Sequence, residues 1–198
     1  MSVSRETSER LQIYSDLLVR WNSRINLVAP SSLNDLQTRH IKDCLQVADL
    51  AKGIQGQWID LGSGGGLPGI VLAIAKADTD LSFTLIESDQ RKATFLRTVI
   101  REVGLTKATV VSHRIESLPP LNAAYASARA LAPLRQLMAY LDLHLAPTGQ
   151  AFLMKGRQWQ AEVEDAKAEW SFDYIAHPSR TQDGAVTLEV SGVSHGAD

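Results

Sequence analysis

The sequence predicts an α/β protein: a Rossmann-like, doubly wound and mostly parallel sheet preceded by a helical extension. Three observations carry that expectation. From residue 58 onward, short β-rich runs alternate with helical segments of ten or so residues, the pattern of βαβ units. Five glycines crowd into Gly62–Gly69, where the first of those runs gives way to a helix. The 198 residues suit one domain with a small extension, at roughly 100–200 residues per domain.

Leu11, Tyr14, Leu18, Trp21 and Ile25 recur every three or four positions and predict a helix over residues 6–25. A second helical pattern covers residues 33–50 and stops near Gly53. Residues 1–54 are therefore expected to form a helical extension packed on the core, and residues 55–198 the Rossmann-like domain. Trp58–Leu61 reads as a strand. Pro68–Ala75 reads as a helix, with proline in the first turn where its missing N–H does no harm. Leu81–Ile86 is a β-rich run. Gln90–Val103 is helical, with Ala93, Leu96, Ile100 and Val103 on one face and Gly104 as its stop. Ala108–Val111, Tyr125–Arg129 and Gln150–Met154 are the next strands, with a helix over Pro133–Leu145. A helix around residues 158–170 and strands near 172–175 and 186–190 follow. Trp159, Val163, Ala166 and Trp170 share helical spacing and are expected in the core.

Composition removes several classes. A 44% hydrophobic, 21% charged chain is neither disordered nor collagenous, and one cysteine excludes an intrachain disulfide or a cysteine-rich metal site. Cys44 is expected as a small half-buried residue. Met1–Glu6 lacks the apolar core of a signal peptide, and Ile70–Ala75 is far short of the ~20 residues that span a bilayer. A cytoplasmic protein without membrane or metal partners, acting as a monomer, is expected.

The glycine loop, Asp60-Leu-Gly62-Ser-Gly64-Gly-Gly66-Leu-Pro-Gly69, is the sharpest feature. Backbone N–H groups of such a loop and the following helix N-terminus favour a negative ligand group. Gly64-x-Gly66-x-x-Gly69 matches the dinucleotide fingerprint, and Glu87 follows as the acid that can accept from ribose hydroxyls. Two features favour S-adenosylmethionine over NAD. Asp60 suits a cationic moiety such as an ammonium and would repel a pyrophosphate, and Pro68 removes one phosphate-cradling N–H.

With these residues in view, the chain resembles class I methyltransferases. More narrowly it resembles the small-subunit (16S) ribosomal RNA guanine-N7 methyltransferases, also called methyltransferase G or glucose-inhibited division protein B. The matching pieces are Trp21-Asn22 with Asn26-Leu27, Arg39-His40-Ile-x-Asp43, the whole of Asp60–Gly69, Leu85-x-Glu87-Ser88, Arg91-Lys92 with Phe95-Leu96-Arg97, Arg114-x-Glu116, Ser127-x-Arg129-Ala130 and Lys155-Gly156. Gly65 stands where that family commonly has alanine or proline, and Cys44 where it has serine. The stretch after Gly156 matches poorly and lacks the usual late lysine. The resemblance implies methyl transfer from S-adenosyl-L-methionine to N7 of a guanine in 16S rRNA, guanine-527 of the 530 loop. It also implies cofactor contacts at Gly62, Leu67, Ile115, Glu116 and Arg129, beside those expected at Asp60, Gly64, Gly66 and Glu87.

The residues agree with that chemistry. Guanine N7 has an available lone pair and no proton to lose, so it needs positioning and not a general base. Tyr125–Pro133 lacks the Asn/Asp-Pro-Pro-aromatic motif of amino-group methylases, and Cys44 lies in the helical extension, away from a C5-type nucleophile position. Arg129, at the end of the fourth strand, is the expected positioning residue for cofactor or guanine; a salt bridge closing the strand is the plainer reading. The formal charge of −2, from 20 Lys+Arg against 22 Asp+Glu, hides an uneven distribution. Residues 91–135 carry eight cations against two acids, +6, so the remainder carries −8. Arg91, Lys92, Arg97 and Arg101 as a cluster suit phosphate, joined by Arg39, His40 and Lys155 as further RNA contacts. Each taken singly is equally a solvated face or a structural partner. Three alternatives stay open: a small-molecule methyltransferase, a NAD-linked dehydrogenase, and a non-catalytic RNA-binding assembly factor.

Overall fold

The computed structural model describes residues 3–53 and 55–196. The expected boundary between extension and domain falls at residue 54, outside the described residues. Among the described residues, seven strands, β1 (Gln55–Leu61), β2 (Asp80–Ile86), β3 (Ala108–Val111), β4 (Ala123–Arg129), β5 (Leu145–Lys155), β6 (Trp170–Pro178) and β7 (Val186–His195), form one sheet in the order β3-β2-β1-β4-β5-β7-β6. The first five are parallel, and β7 runs antiparallel to both β5 and β6. Strand order reverses between β1 and β4, and a doubly wound sheet opens its crevice at the carboxyl ends of the strands flanking that switch point.

The α-helices α1 (Arg5–Asn22), α2 (Lys42–Leu50), α3 (Gly69–Ala75), α4 (Gln90–Val103), α5 (Leu134–His144) and α6 (Trp159–Lys167) cover the sheet. Strand alternation divides the core between two faces. Trp58, Phe83, Leu85 and Phe152 face α1–α4, while Ile59, Leu61, Ala128 and Leu153 face α5 and α6. Trp58 is the keystone of the first face: its ring stacks against Phe83, Tyr125 and Phe152 at centroid distances of 5.3–5.8 Å. Trp21 packs against Phe95, joining α1 to α4.

Several expectations change in detail. The helix expected over 6–25 ends at Asn22, whose Oδ1 accepts from the N–H groups of Leu27 and Val28 and turns the chain. The single helix expected over 33–50 is a 3₁₀ segment (Pro30–Asp35), a π-helical segment (Leu36–Ile41) and then α2. Trp170 is buried as expected, but as the first residue of β6 and not on α6, which stops at Lys167. Cys44 is fully buried, more deeply than expected.

Candidate active site

A cavity of about 770 Å³ opens at the carboxyl ends of β1, β2 and β4, where the switch point predicts a ligand. The loop after β1 forms its floor. Gly62 adopts φ +62°, the left-handed region that glycine takes without a Cβ penalty, and a Cβ there would press on the Leu131 side chain at 2.4 Å. The buried Tyr14 hydroxyl of α1 donates to the Gly65 carbonyl at 2.7 Å, holding the loop from outside the sheet.

Glu87, at the end of β2, is held in one orientation. Its Oε2 accepts from Gly64 N–H and its Oε1 from Asp89 N–H, both at 2.8 Å. Each oxygen keeps a lone pair for a further donor, such as a ribose hydroxyl. Ile115 and Glu116 face the cavity from a 3₁₀ turn after β3. The buried His144 ring fixes that turn by bonding the Ile115 carbonyl through Nε2 at 2.9 Å. A glycine cradle, a fixed carboxylate and apolar Leu67 and Ile115 walls suit a nucleoside with a charged tail.

Asp60 is not on the wall. Strand alternation places it on the Trp58 face of β1, 1% exposed, beneath the glycine loop. Trp58 Nε1–H donates to Ser127 Oγ at 2.9 Å, and Ser127 donates to Asp60 Oδ1 at 2.6 Å. A Cβ on Gly69 would lie 2.4 Å from Asp60 Oδ2, so Gly69 lets α3 start directly over the carboxylate. Burial pushes the Asp60 carboxyl up to about 6, against the Ser127 hydrogen bond. The direct ammonium contact expected of Asp60 is therefore replaced by support of the loop from below. Gly66 also lies off the cavity wall, at φ +89° against Ile70 and Leu96.

Arg129 ends β4 on the cavity wall. Its Nη2 meets His40 Nδ1, and its Nη1 approaches Cys44 Sγ at 3.6 Å. Burial first, then Arg129 and Arg39, hold His40 down to about 4, so its ring is neutral at pH 7 and accepts at Nδ1. His40 makes no bond to Asp43, the acid of the same Arg39-His40-Ile-x-Asp43 piece; that carboxylate is engaged by Ser179 and Thr181. Burial pushes the Cys44 thiol up to about 12. Both neighbours of Arg129 are thus uncharged.

Of the other basic residues expected to meet RNA, Arg39 and Lys92 line the cavity beside His40. Arg91, Arg97 and Arg101 do not; they lie exposed along α4. Arg91 pairs with Asp89 and Arg101 with Glu102. Lys155, at the end of β5, has a side chain only 9% exposed; it pairs with Glu162 at 2.5 Å and donates to the Ala132 carbonyl at 3.0 Å. It is occupied structurally and not free for phosphate. The basic stretch 91–135 is largely neutralised by acids elsewhere, Lys107 by Asp80 and Arg135 by Glu169, or by its own Glu116 at Arg114. Among the described residues, Lys92 and Arg97 have no acidic partner.

Sequence reasoning missed the rim formed by Leu27, Ser31 and Ser32, and the contributions of His113 and Tyr140. The buried Asn22 that turns the chain into this rim was the available signal. A second cavity of about 330 Å³ lies at the ends of β4 and β5. Arg129 and Ala130 line both cavities, so the two adjoin there. Among the described residues, no helix is long and apolar enough to cross a membrane, and no cluster of His, Cys, Asp or Glu is placed to hold a metal ion.

The sheet order, the glycine floor and the anchored Glu87 define a class I S-adenosylmethionine-dependent methyltransferase. The fold is similar to that of a putative S-adenosyl-L-methionine-dependent methyltransferase from Methanococcus maripaludis, with a TM-score of 0.62 at 14% identity over 100% of both chains. It is also similar to a variant of MtNAS solved in complex with S-adenosylmethionine, with a TM-score of 0.65 at 15% identity, covering 93% of this chain and 75% of that one. The family model described as rRNA small subunit methyltransferase G matches residues 7–186. The protein named ribosomal RNA small subunit methyltransferase G from Paracoccus denitrificans is 56% identical, over 98% of this chain and 100% of that protein. The one from Gluconobacter oxydans is 47% identical, over 96% of each. This chain belongs to the rRNA small subunit methyltransferase G family.

Proposed function

We propose that this methyltransferase acts on 16S rRNA of the small ribosomal subunit, transferring a methyl group to N7 of one guanine, as a cytoplasmic monomer. The observation that carries the reading is the pair of cavities meeting at Arg129. The larger takes S-adenosylmethionine, which when bound supplies a methyl group on a sulfonium, open to in-line displacement. Gly62, Gly64, Leu67, Glu87, Ile115 and Glu116 hold the cofactor there, with Glu87 accepting from the ribose. Asp60 and Gly66 support the loop from behind.

Guanine N7 attacks with its own lone pair: the C–S bond breaks as the C–N7 bond forms, and no proton leaves. The two groups touching Arg129 fit that requirement. The neutral His40 already spends its acceptor nitrogen on Arg129, and the Cys44 thiol stays protonated, so neither serves as base or nucleophile. Arg129 is the positioning cation. A bidentate grip on guanine N7 and O6 would block the attacking lone pair, so its fork donates to O6 alone. Arg39 and Lys92 at the cavity, with Arg97 beyond it on α4, meet RNA phosphates. Unmodified 16S rRNA incubated with the protein and methyl-labelled cofactor is expected to give one site of strand cleavage specific for N7-methylguanine. RNA that takes up no label overturns the proposal.

A further inference from the structure

We infer that the second cavity is the base pocket, and that Asp43 reads the guanine there by accepting from its N2 amino and N1–H groups through Oδ2. The inference rests on the proposed methylation of guanine N7. N7 must face the cofactor cavity, so the opposite edge of the base, which carries N1–H and the N2 amino group, must face away from it. The second cavity lies on that far side of Arg129, and at about 330 Å³ it is within the range of small-ligand pockets.

Its polar lining has one available carboxylate. Glu162 is occupied: its Oε2 takes both the Lys155 ammonium and the Leu134 N–H at the start of α5. Asp43 differs. Its Oδ1 accepts from Ser179 Oγ at 2.7 Å and from Thr181 Oγ1 at 3.0 Å, whereas Oδ2 has no protein partner among the described residues. A carboxylate has about four lone-pair sites. The two hydroxyls use those on Oδ1 and fix the side chain, leaving those on Oδ2 for a ligand. The loop bearing Ser179 and Thr181 is itself tied to α2. Gln46 Nε2 donates to the Pro178 carbonyl at 2.6 Å and Gln46 Oε1 accepts from Arg180 N–H at 3.0 Å.

Two adjacent donors are what guanine offers on this edge; adenine offers a bare acceptor at N1, which a carboxylate repels. The acceptor also has a role in the reaction. Methyl transfer leaves the purine positively charged and its N1–H more acidic, so a carboxylate on that edge binds more tightly as transfer proceeds. An interaction that strengthens in this way raises the rate as well as the selectivity.

The test uses 16S rRNA with inosine replacing the mapped target guanine. Inosine keeps N7, O6 and N1–H and loses only the N2 amino group. Methyl transfer and equilibrium RNA binding in the presence of S-adenosylhomocysteine are measured for both RNAs. The wild type should favour guanine over inosine by about tenfold in each, the size of one hydrogen bond to a charged group. Asp43→Asn should bring that ratio close to one, with cofactor affinity unchanged. The double variant Ser179→Ala/Thr181→Ala, which keeps the carboxylate but removes the hydroxyls that fix it, should lower the preference without abolishing it. Equal use of both RNAs by the wild type overturns the inference, as does an Asp43→Asn variant that slows both equally and keeps the ratio. Should the wild type methylate no N7 at all, the proposed function itself fails, a result separable from either of these.

Discussion

The ends of β4 and β5 each carry one cation, and the two are used differently. Arg129 is half-buried, its partners are the neutral His40 ring and the Cys44 thiol, and it faces both cavities. Lys155 is tucked under α6 and donates to Glu162 and a backbone carbonyl. A cation at a strand end in a doubly wound sheet is therefore not by itself a site residue. What decides is whether a carboxylate has already neutralised it. Uncharged partners orient the Arg129 fork and leave its charge for a ligand.

Breaking the Lys155 side of the comparison should have the largest effect on stability. Lys155→Ala leaves Glu162 part-buried without its cation and is expected to destabilise the fold by about 3 kcal/mol, read as a lower urea midpoint. The rate per folded molecule should stay within about threefold of wild type, because a structural pair bears little on the transition state. Replacing both partners, Lys155→Met with Glu162→Gln, should recover part of that loss in a double-mutant cycle, by about 1–3 kcal/mol.

The neutrality around Arg129 can be tested through pH. His40 titrates near 4 in the fold, below its ordinary 6.5, so the native state binds fewer protons than the unfolded chain between those values. Its contribution to stability is present above 6.5 and is lost as pH falls towards 4. Asp60 does the opposite: raised from 3.8 to about 6, it contributes stability at low pH that is lost as pH rises through 6. The two slopes offset in the wild type. Against wild type, His40→Asn should expose a fall in stability from pH 4 to 6. Asp60→Asn should expose a rise, and stabilise the fold at pH 7 by about 2 kcal/mol. Urea midpoints across pH 4–7 that do not separate in opposite directions would count against both assignments.

The smallest effects belong to α4. Arg97 has no acidic partner among the described residues while Arg101 already pairs with Glu102, so Arg97→Glu should weaken RNA binding more than Arg101→Glu. Removing one cation that meets a phosphate reduces the slope of log affinity against log salt by about one, measurable by anisotropy.

The contrast also explains what the sequence could disclose. The parallel strands and the glycine loop were legible because alternation and glycine spacing are local signals. Residues 30–41 were not, because 3₁₀ and π-helical segments leave no sustained 3.6-residue period. Asp60 carried its answer in the alternation with Trp58, which assigns it to the interior face, although its acidity drew attention to a ligand. The basic stretch misled for a different reason. Glu169, which neutralises Arg135, is 34 residues away in sequence, and the contact between Arg129 and His40 spans 89. Segment counting has no access to such partners, so the net +6 of residues 91–135 overstates the free cations, which reduce chiefly to Lys92, Arg97 and the cavity-facing Arg129.

The most direct test compares Arg129→Ala with Lys155→Ala in single-turnover methyl transfer to 16S rRNA at saturating cofactor, each corrected for folded fraction. Arg129→Ala should slow transfer by about 100-fold, the effect of removing one preorganised charged donor from a reacting centre, with Lys155→Ala close to wild type. Equal losses in the two variants, or a wild-type rate from Arg129→Ala, would contradict the account.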